Sequence, residues 1–167
     1  MEDSRGASQA TGFSRRALVI GYGSPIRGDD ALGPLVADRL ARRDLPQGVT
    51  VIARHILTPD LVPAVCDARL VVFVDAAISG TPGDIHCRRL KPAQTPPVTV
   101  AHFLDPGELL AWAEALYDKL PTAFLVSTPG HCFDFGHFRL SEPVAGAVEA
   151  LTERVHDLVA GQIPAAP

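Results

Sequence analysis

Three carboxylates and one imidazole in this 167-residue chain have the residue types of a metal site. Asp29 and Asp30 follow the first strongly apolar run after a short loop, and Asp75 directly follows a second such run. His102 precedes a predicted helix. Two carboxylates and one imidazole suit a borderline divalent transition metal, and three protein ligands leave coordination positions open for water or a substrate group. These residues therefore predict a small metal-binding site, provided that the fold brings them together.

Each of these residues also has a plainer structural interpretation. Asp29 or Asp30 would cap the helix that follows, and Asp75 would be a polar residue at the end of a buried strand. His102 would be a loop histidine that bonds nearby backbone. One helix needs only one cap, however, and acidic residues after two strands of an α/β sheet fall at the edge where such folds bind ligands. The combination favours a shared site.

The site must be positioned by elements that alternate between strands and helices. Short apolar runs predict buried strands, and apolar residues at helical spacing, with capping residues or a first-turn proline, predict the helices. This alternation implies one doubly wound α/β domain, with a mostly parallel sheet and helices on both faces. In a flavodoxin-like strand order, Asp30 and Asp75 flank the switch point where ligands bind. The predicted strands are 17–23, 49–54, 70–74, 84–90 at an edge and 122–126, and the predicted helices lie near 32–40, 61–66, 106–118 and after Ser141.

Composition narrows the class of protein. With 47% hydrophobic residues, the chain is the size of one domain, which we expect at 16–163, after a loose tail at 1–15 without the apolar stretch of a signal peptide. The net charge of -4 argues against a nucleic-acid partner, and no apolar run approaches the roughly 20 residues of a membrane-inserted helix. Three cysteines without CxxC spacing fit a reducing cytoplasm.

Other chemistries fit the sequence less well. The glycines after the first strand have GxGxxxxG spacing, no lysine follows them, and the two aspartates would repel a phosphate, so nucleotide binding is disfavoured. Cys66 and Cys132 lack the strand-to-helix elbow that presents a nucleophile. The segment 130–137, Gly-His-Cys-Phe-Asp-Phe-Gly-His, offers metal ligands, but its glycines and aromatic residues favour a substrate-contacting loop over a second metal site.

The segment 21–34, Gly-Tyr-Gly-Ser-Pro-Ile-Arg-Gly-Asp-Asp-Ala-Leu-Gly-Pro, resembles the N-terminal signature of the hydrogenase maturation proteases. One departure is Ser24, where the family usually carries asparagine. The similarity covers nearly the whole chain after the tail. Further matches, in the family's order, are Val-Phe-Val-Asp-Ala at 72–76, His102 before the Leu-Leu helix, and Phe-Asp-Phe-Gly at 133–136 before Leu140 and Ser141.

The resemblance implies an endopeptidase that removes the C-terminal extension from the large-subunit precursor of a nickel-iron hydrogenase after nickel insertion. The family's metal-contacting residues map to Asp30, Asp75 and His102. Nickel would be carried by cysteines of the substrate, and other divalent ions could occupy the site in vitro. A metal-polarised carbonyl attacked by water is a reasonable route, with Asp29 or Asp30 as the candidate base.

Two other functions are compatible with the same residues. A nickel-sensing or escort module would bind the metallated large subunit without cleaving it. A flavodoxin-like binding domain would use its acidic residues merely as caps, and Asp75→Ala would then change stability modestly and affect no partner.

Overall fold

The computed structural model describes residues 17–94 and 103–161, so that His102 and the predicted tail lie outside the described residues. The described residues form one sheet in the strand order β2-β1-β3-β5-β4. Its strands are β1 (Ala17–Tyr22), β2 (Val49–Arg54), β3 (Leu70–Ala77), β4 (His86–Arg89) and β5 (Thr122–Pro129).

The pairing of the strands confirms the predicted mostly parallel sheet. Strand β1 pairs in parallel with β2 and β3, and β3 pairs in parallel with β5. Strand β4 lies at the edge, as predicted for this segment, and pairs antiparallel with β5. Strands β3 and β5 continue past the predicted ends because they pair with each other from Leu70 and Thr122 to Ala77 and Pro129. Asp75 therefore lies within β3, and the prediction that the strand ends before it is wrong.

The helices cover both faces of the sheet. The helix at Pro106–Tyr117, α3, begins with the predicted capping box, in which the Glu108 amide donates to the Asp105 carboxylate and the Asp105 amide donates to the Glu108 carboxylate, both at 2.8 Å. Short 3₁₀ turns, at Gly28–Ala31 and Pro59–Leu61, precede the first two helices. The helices are α1 (Leu32–Leu40), α2 (Val62–Asp67), α3 (Pro106–Tyr117) and α4 (Glu142–Ala160).

Two apolar cores lie on opposite sides of the sheet. Val19 of β1 packs with α1 and α4, whereas its neighbours Leu18 and Ile20 pack with α2 and α3. This alternation follows from the two-residue period of a strand, and burial on both faces explains why the sequences of β1 and β3 are continuous apolar runs.

Among the described residues, no helix combines the length and apolar character that crossing a bilayer requires.

Close packing of α1 against β1 places the first functional segment. A Cβ atom built on Gly21 would lie 2.0 Å from the Gly33 carbonyl oxygen, and one on Gly33 would lie 2.4 Å from the Val74 carbonyl oxygen. Only glycine allows the backbones to approach this closely. The 3₁₀ turn that precedes α1 is thereby held beside the carboxyl ends of β1 and β3.

Two exposed glycines provide a matched test of backbone conformation. Neither Gly146, inside α4, nor Gly136, at a φ of +84°, has an atom within 4 Å of an added Cβ. We expect Gly146→Ala to raise the free energy of unfolding by about 0.5–1 kcal/mol, because glycine is a poor helix former. Gly136→Ala should lower it by about 1–2 kcal/mol, because its backbone is left-handed. Urea denaturation measures both, and changes of the same sign would contradict this explanation.

Candidate functional site

A cleft of about 430 Å³ opens at the carboxyl ends of β1 and β3. Asp30 and Asp75 both lie in its wall, so the fold brings these two predicted ligands together at the predicted switch point. The lining residues are Tyr22, Gly23, Ser24, Arg27, Asp30, His55, Ile56, Leu57, Asp75, Phe103, Leu104 and Phe135.

Asp30 is oriented by the loop that follows β1. Its Oδ2 atom accepts a hydrogen bond of 2.9 Å from the Ser24 backbone amide and lies 3.8 Å from the Arg27 guanidinium. The Ser24 contact uses the main chain, so it does not depend on the side chain at this position. The Arg27 ion pair is long and partly exposed, and it contributes little to stability. The backbone contact is therefore the main restraint on the Asp30 carboxylate.

Asp75 carries a proton more readily than an ordinary aspartate. The pKa of Asp75 is raised to about 7, chiefly by burial and to a smaller extent by the charge of Asp30, while hydrogen bonds from the Tyr22 hydroxyl and the Ala76 amide act to lower it. Burial and the charge of Asp75 also raise the pKa of Tyr22, so this hydroxyl remains a donor. A divalent cation between the two carboxylates would offset both the burial and the repulsion. The donor set of the cleft therefore fits a cation.

The raised pKa of Asp75 predicts a stability change with pH. The unfolded value is near 3.8, so the folded state prefers the protonated carboxyl, and this group's stabilisation is lost as the pH rises from about 4 through about 7. We expect Asp75→Asn, in the presence of a chelator, to raise the free energy of unfolding on the order of 2–4 kcal/mol at pH 8 and to change it little at pH 4. Urea denaturation across this range measures the difference, which a pH-independent offset would contradict.

Asp29 has a different environment from its neighbour. The Asp29 side chain is fully buried and does not line the cleft. Its Oδ2 atom accepts hydrogen bonds from the amides of His131 and Cys132, at 2.7 and 2.9 Å, and from the Ser141 hydroxyl at 2.8 Å. Its Oδ1 atom accepts a bond of 2.6 Å from the Ser141 amide. Burial acts to raise the pKa of Asp29, but these hydrogen bonds outweigh it and hold the pKa below its ordinary value.

These contacts bear on three sequence interpretations. The Asp29 carboxylate is buried, accepts four hydrogen bonds and does not line the cleft, which favours a structural role over that of the candidate general base. Neither Asp29 nor Asp30 caps α1, whose N-cap residue is Ala31. Ser141 precedes α4 as predicted, but its hydroxyl donates to Asp29 and makes no capping bond.

Tyr22, Ile56 and Phe103 of the cleft were missed by the sequence interpretation, whereas Phe135 lies in the segment 130–137 that it interpreted as a substrate-contacting loop. Tyr22, at the last position of β1, bonds Asp75, and the only sequence signal for it is a polar hydroxyl at the end of a buried strand. The side chains of Phe103 and Phe135 are 67% and 74% exposed and form an apolar rim with Ile56. The Arg27 guanidinium lies 5.0 Å from the Phe135 ring centre, a distance suited to a cation–π contact. An exposed aromatic rim beside two carboxylates suits a polypeptide ligand.

His102 cannot be placed in this geometry, because it lies outside the described residues. Its neighbour Phe103 lines the cleft. The assignment of His102 as the third metal-contacting residue therefore stays a prediction from the family resemblance.

Comparison with solved structures finds similar folds. The hydrogenase maturating endopeptidase HybD from E. coli superposes with a TM-score of 0.70 at 21% identity, over 88% of this chain and 93% of that one. The NiFe hydrogenase maturation protease HycI from Thermococcus kodakarensis KOD1 gives 0.69 at 22% identity, over 87% and 93%. The hydrogenase 2 maturation peptidase from Thaumarchaeota archaeon SCGC_AB-539-E09 gives 0.60 at 28% identity, over 88% and 97%. No protein-family model and no curated protein matches this chain.

Proposed function

We propose, from the premise that this chain has the fold of the hydrogenase maturation proteases, that it is an endopeptidase acting on the large-subunit precursor of a nickel-iron hydrogenase. It removes the C-terminal extension after nickel insertion, and it works in the cytoplasm with that precursor. The observation that carries this proposal is the placement of Asp30 and Asp75 in one cleft at the switch point of this fold.

The nickel ion belongs to the substrate in this proposal. It arrives on cysteines of the precursor, and Asp30, Asp75 and His102 complete its coordination. The Ser24 amide keeps Asp30 in position, and the Tyr22 hydroxyl holds Asp75. Because the pKa of Asp75 is about 7, this residue gives up its proton at little cost when a cation approaches. A precursor without nickel lacks this attraction, so the cleft distinguishes the nickel-loaded precursor from the nickel-free precursor.

The apolar rim serves the peptide part of the substrate. Ile56, Phe103 and Phe135 flank the two carboxylates, and all three are exposed in the absence of a partner. Burial of apolar side chains by the precursor tail stabilises the complex by roughly 25 cal/mol per Å². The rim therefore contributes affinity, and the carboxylates contribute selectivity for the metallated precursor.

Hydrolysis requires a base that faces the cleft, and of the two adjacent aspartates Asp30 does so. A water that gives its proton to Asp30 attacks the scissile carbonyl, the carbon–nitrogen bond breaks, and the proton passes to the leaving amine. Asp29 supports the position of Asp30 indirectly, since its hydrogen bonds fix the turn that carries both residues.

Intact-mass analysis of a hydrogenase large-subunit precursor tests the function. The precursor is incubated with this protein after nickel loading and, in parallel, without nickel. We expect loss of a C-terminal fragment from the nickel-loaded precursor alone. Complex formation with an unchanged mass would instead favour the nickel-sensing or escort module, and neither binding nor a mass change would overturn both.

A further inference from the structure

A second group of metal-ligating side chains lies in the loop between β5 and α4. The Cys132 sulfur, a carboxylate oxygen of Asp134 and a ring nitrogen of His137 all lie within 4.8 Å of one another. A tetrahedral zinc ion bound at about 2.0–2.3 Å holds its ligand atoms roughly 3.3–3.7 Å apart. Cys132 is partly buried, whereas Asp134 and His137 are exposed. A shift of roughly 1 Å in the exposed side chains therefore completes the coordination distances.

The backbone of this loop is fixed at two of the three ligands. The Cys132 amide donates to the Asp29 carboxylate at 2.9 Å, and the Cys132 carbonyl accepts from the Asp29 amide at 2.8 Å. The His137 carbonyl accepts a bond of 2.7 Å from the Gly28 amide. Both ligands are thus anchored to adjacent residues of one turn, and this preorganisation lowers the conformational entropy lost on binding.

The chemistry of the three donors selects the kind of ion. A thiolate, an imidazole and a carboxylate form the mixed sulfur, nitrogen and oxygen set that zinc and other borderline divalent ions prefer. The hard ions calcium and magnesium prefer oxygen ligands throughout, and the thiol disfavours them. Three protein ligands leave a fourth position for water. The set differs from that proposed for the cleft, in which Asp30, Asp75 and His102 include no sulfur ligand.

We propose that Cys132, Asp134 and His137 form a second metal site, which binds Zn²⁺ or a similar borderline divalent ion. Phe135 lies between two of these ligands in the chain and also lines the cleft. An ion held by residues on both sides of Phe135 restricts the part of the loop that forms the aromatic rim. The loop, interpreted from its sequence as a substrate contact, thus gains an ion that sets its shape. The site stands whether or not the chain cleaves a hydrogenase precursor.

Cobalt absorption spectroscopy tests this site separately from the cleft. The reduced full-length protein is titrated with Co²⁺, and a thiolate-to-cobalt charge-transfer band in the near ultraviolet reports sulfur ligation. We expect the band to saturate at one equivalent, to disappear on addition of Zn²⁺, and to be absent from Cys132→Ser. The matched controls Cys66→Ser and Cys87→Ser should retain it, as should a variant in which both Asp30 and Asp75 are replaced by asparagine, since the cleft has no sulfur ligand.

The other two ligands have their own readout. His137→Ala and Asp134→Ala should each weaken the cobalt affinity by more than about tenfold, since each removes one of three protein ligands. Circular dichroism checks that each variant is folded. A wild-type protein without the band, or a band that persists in Cys132→Ser, overturns the site. If the cobalt affinity were unchanged in both His137→Ala and Asp134→Ala, Cys132 would be the only ligand of the three. This result would also overturn the proposed site.

Discussion

Replacement of Asp75 by asparagine is expected to lower the rate of precursor cleavage by roughly 10²–10⁴-fold. Asparagine preserves the size of the side chain and a carbonyl oxygen for the hydrogen bonds from Tyr22 and Ala76. It lacks the negative charge by which a carboxylate attracts a divalent ion, and its neutral amide oxygen is a weaker ligand for a transition metal. The initial rate of fragment release from nickel-loaded precursor, followed by intact mass, measures the effect.

The stability of this variant separates chemistry from folding. Asp75→Asn is expected to be more stable than the native protein at neutral pH, so its loss of activity cannot be a loss of fold. Asp38→Asn, an exposed aspartate on α1 that does not line the cleft, is the matched control and should cleave at the native rate. A near-native rate in Asp75→Asn would remove Asp75 from the reaction.

Replacement of Asp29 by alanine should lower the free energy of unfolding by about 3–5 kcal/mol. The substitution removes the acceptor of four hydrogen bonds and leaves the amides of His131, Cys132 and Ser141 without this partner. Urea denaturation at neutral pH measures the loss. The pKa of Asp29 is lowered in the folded state, so its stabilisation is present above the unfolded value near 3.8 and is lost as the pH falls through the folded value. The difference between the two proteins should therefore shrink in acid.

The asparagine variant at the same position keeps this prediction testable if alanine prevents folding. Asp29→Asn retains one acceptor oxygen and should be destabilised by less than Asp29→Ala. Cleavage per folded molecule should change far less in Asp29→Asn than in Asp75→Asn. An Asp29→Asn protein with native stability and no activity would instead restore Asp29 as the catalytic base.

The sequence predicted the elements whose signals are local. The bounds of β2, Val49–Arg54, and the capping box of α3 depend on residues close together in the chain, and both predictions are confirmed. The parallel order followed from the alternation of strands and helices. The extensions of β3 and β5 were missed because they depend on pairing between distant strands, which continues after the apolar runs have ended.

The site was predictable to the same extent. Asp30 and Asp75 each follow an apolar strand signal, and the sheet brings them together as its topology requires. The role of Asp29 was not predictable, because its hydrogen-bond partners lie 102 to 112 residues away along the chain. A local pattern cannot distinguish two adjacent aspartates when the partner of one is set by the tertiary fold.

The long separation between Asp29 and Ser141 also has a consequence for biosynthesis. The turn that carries Asp30 is fixed through Asp29, which requires the amides of the loop before α4 and of Ser141 itself. A growing polypeptide cannot complete this turn until Ser141 has emerged from the ribosome. A product of premature termination that stops short of this residue carries both cleft aspartates in its sequence but lacks the support that orders one of them. The cleft thus matures only after the loop before α4 and Ser141 have been synthesised.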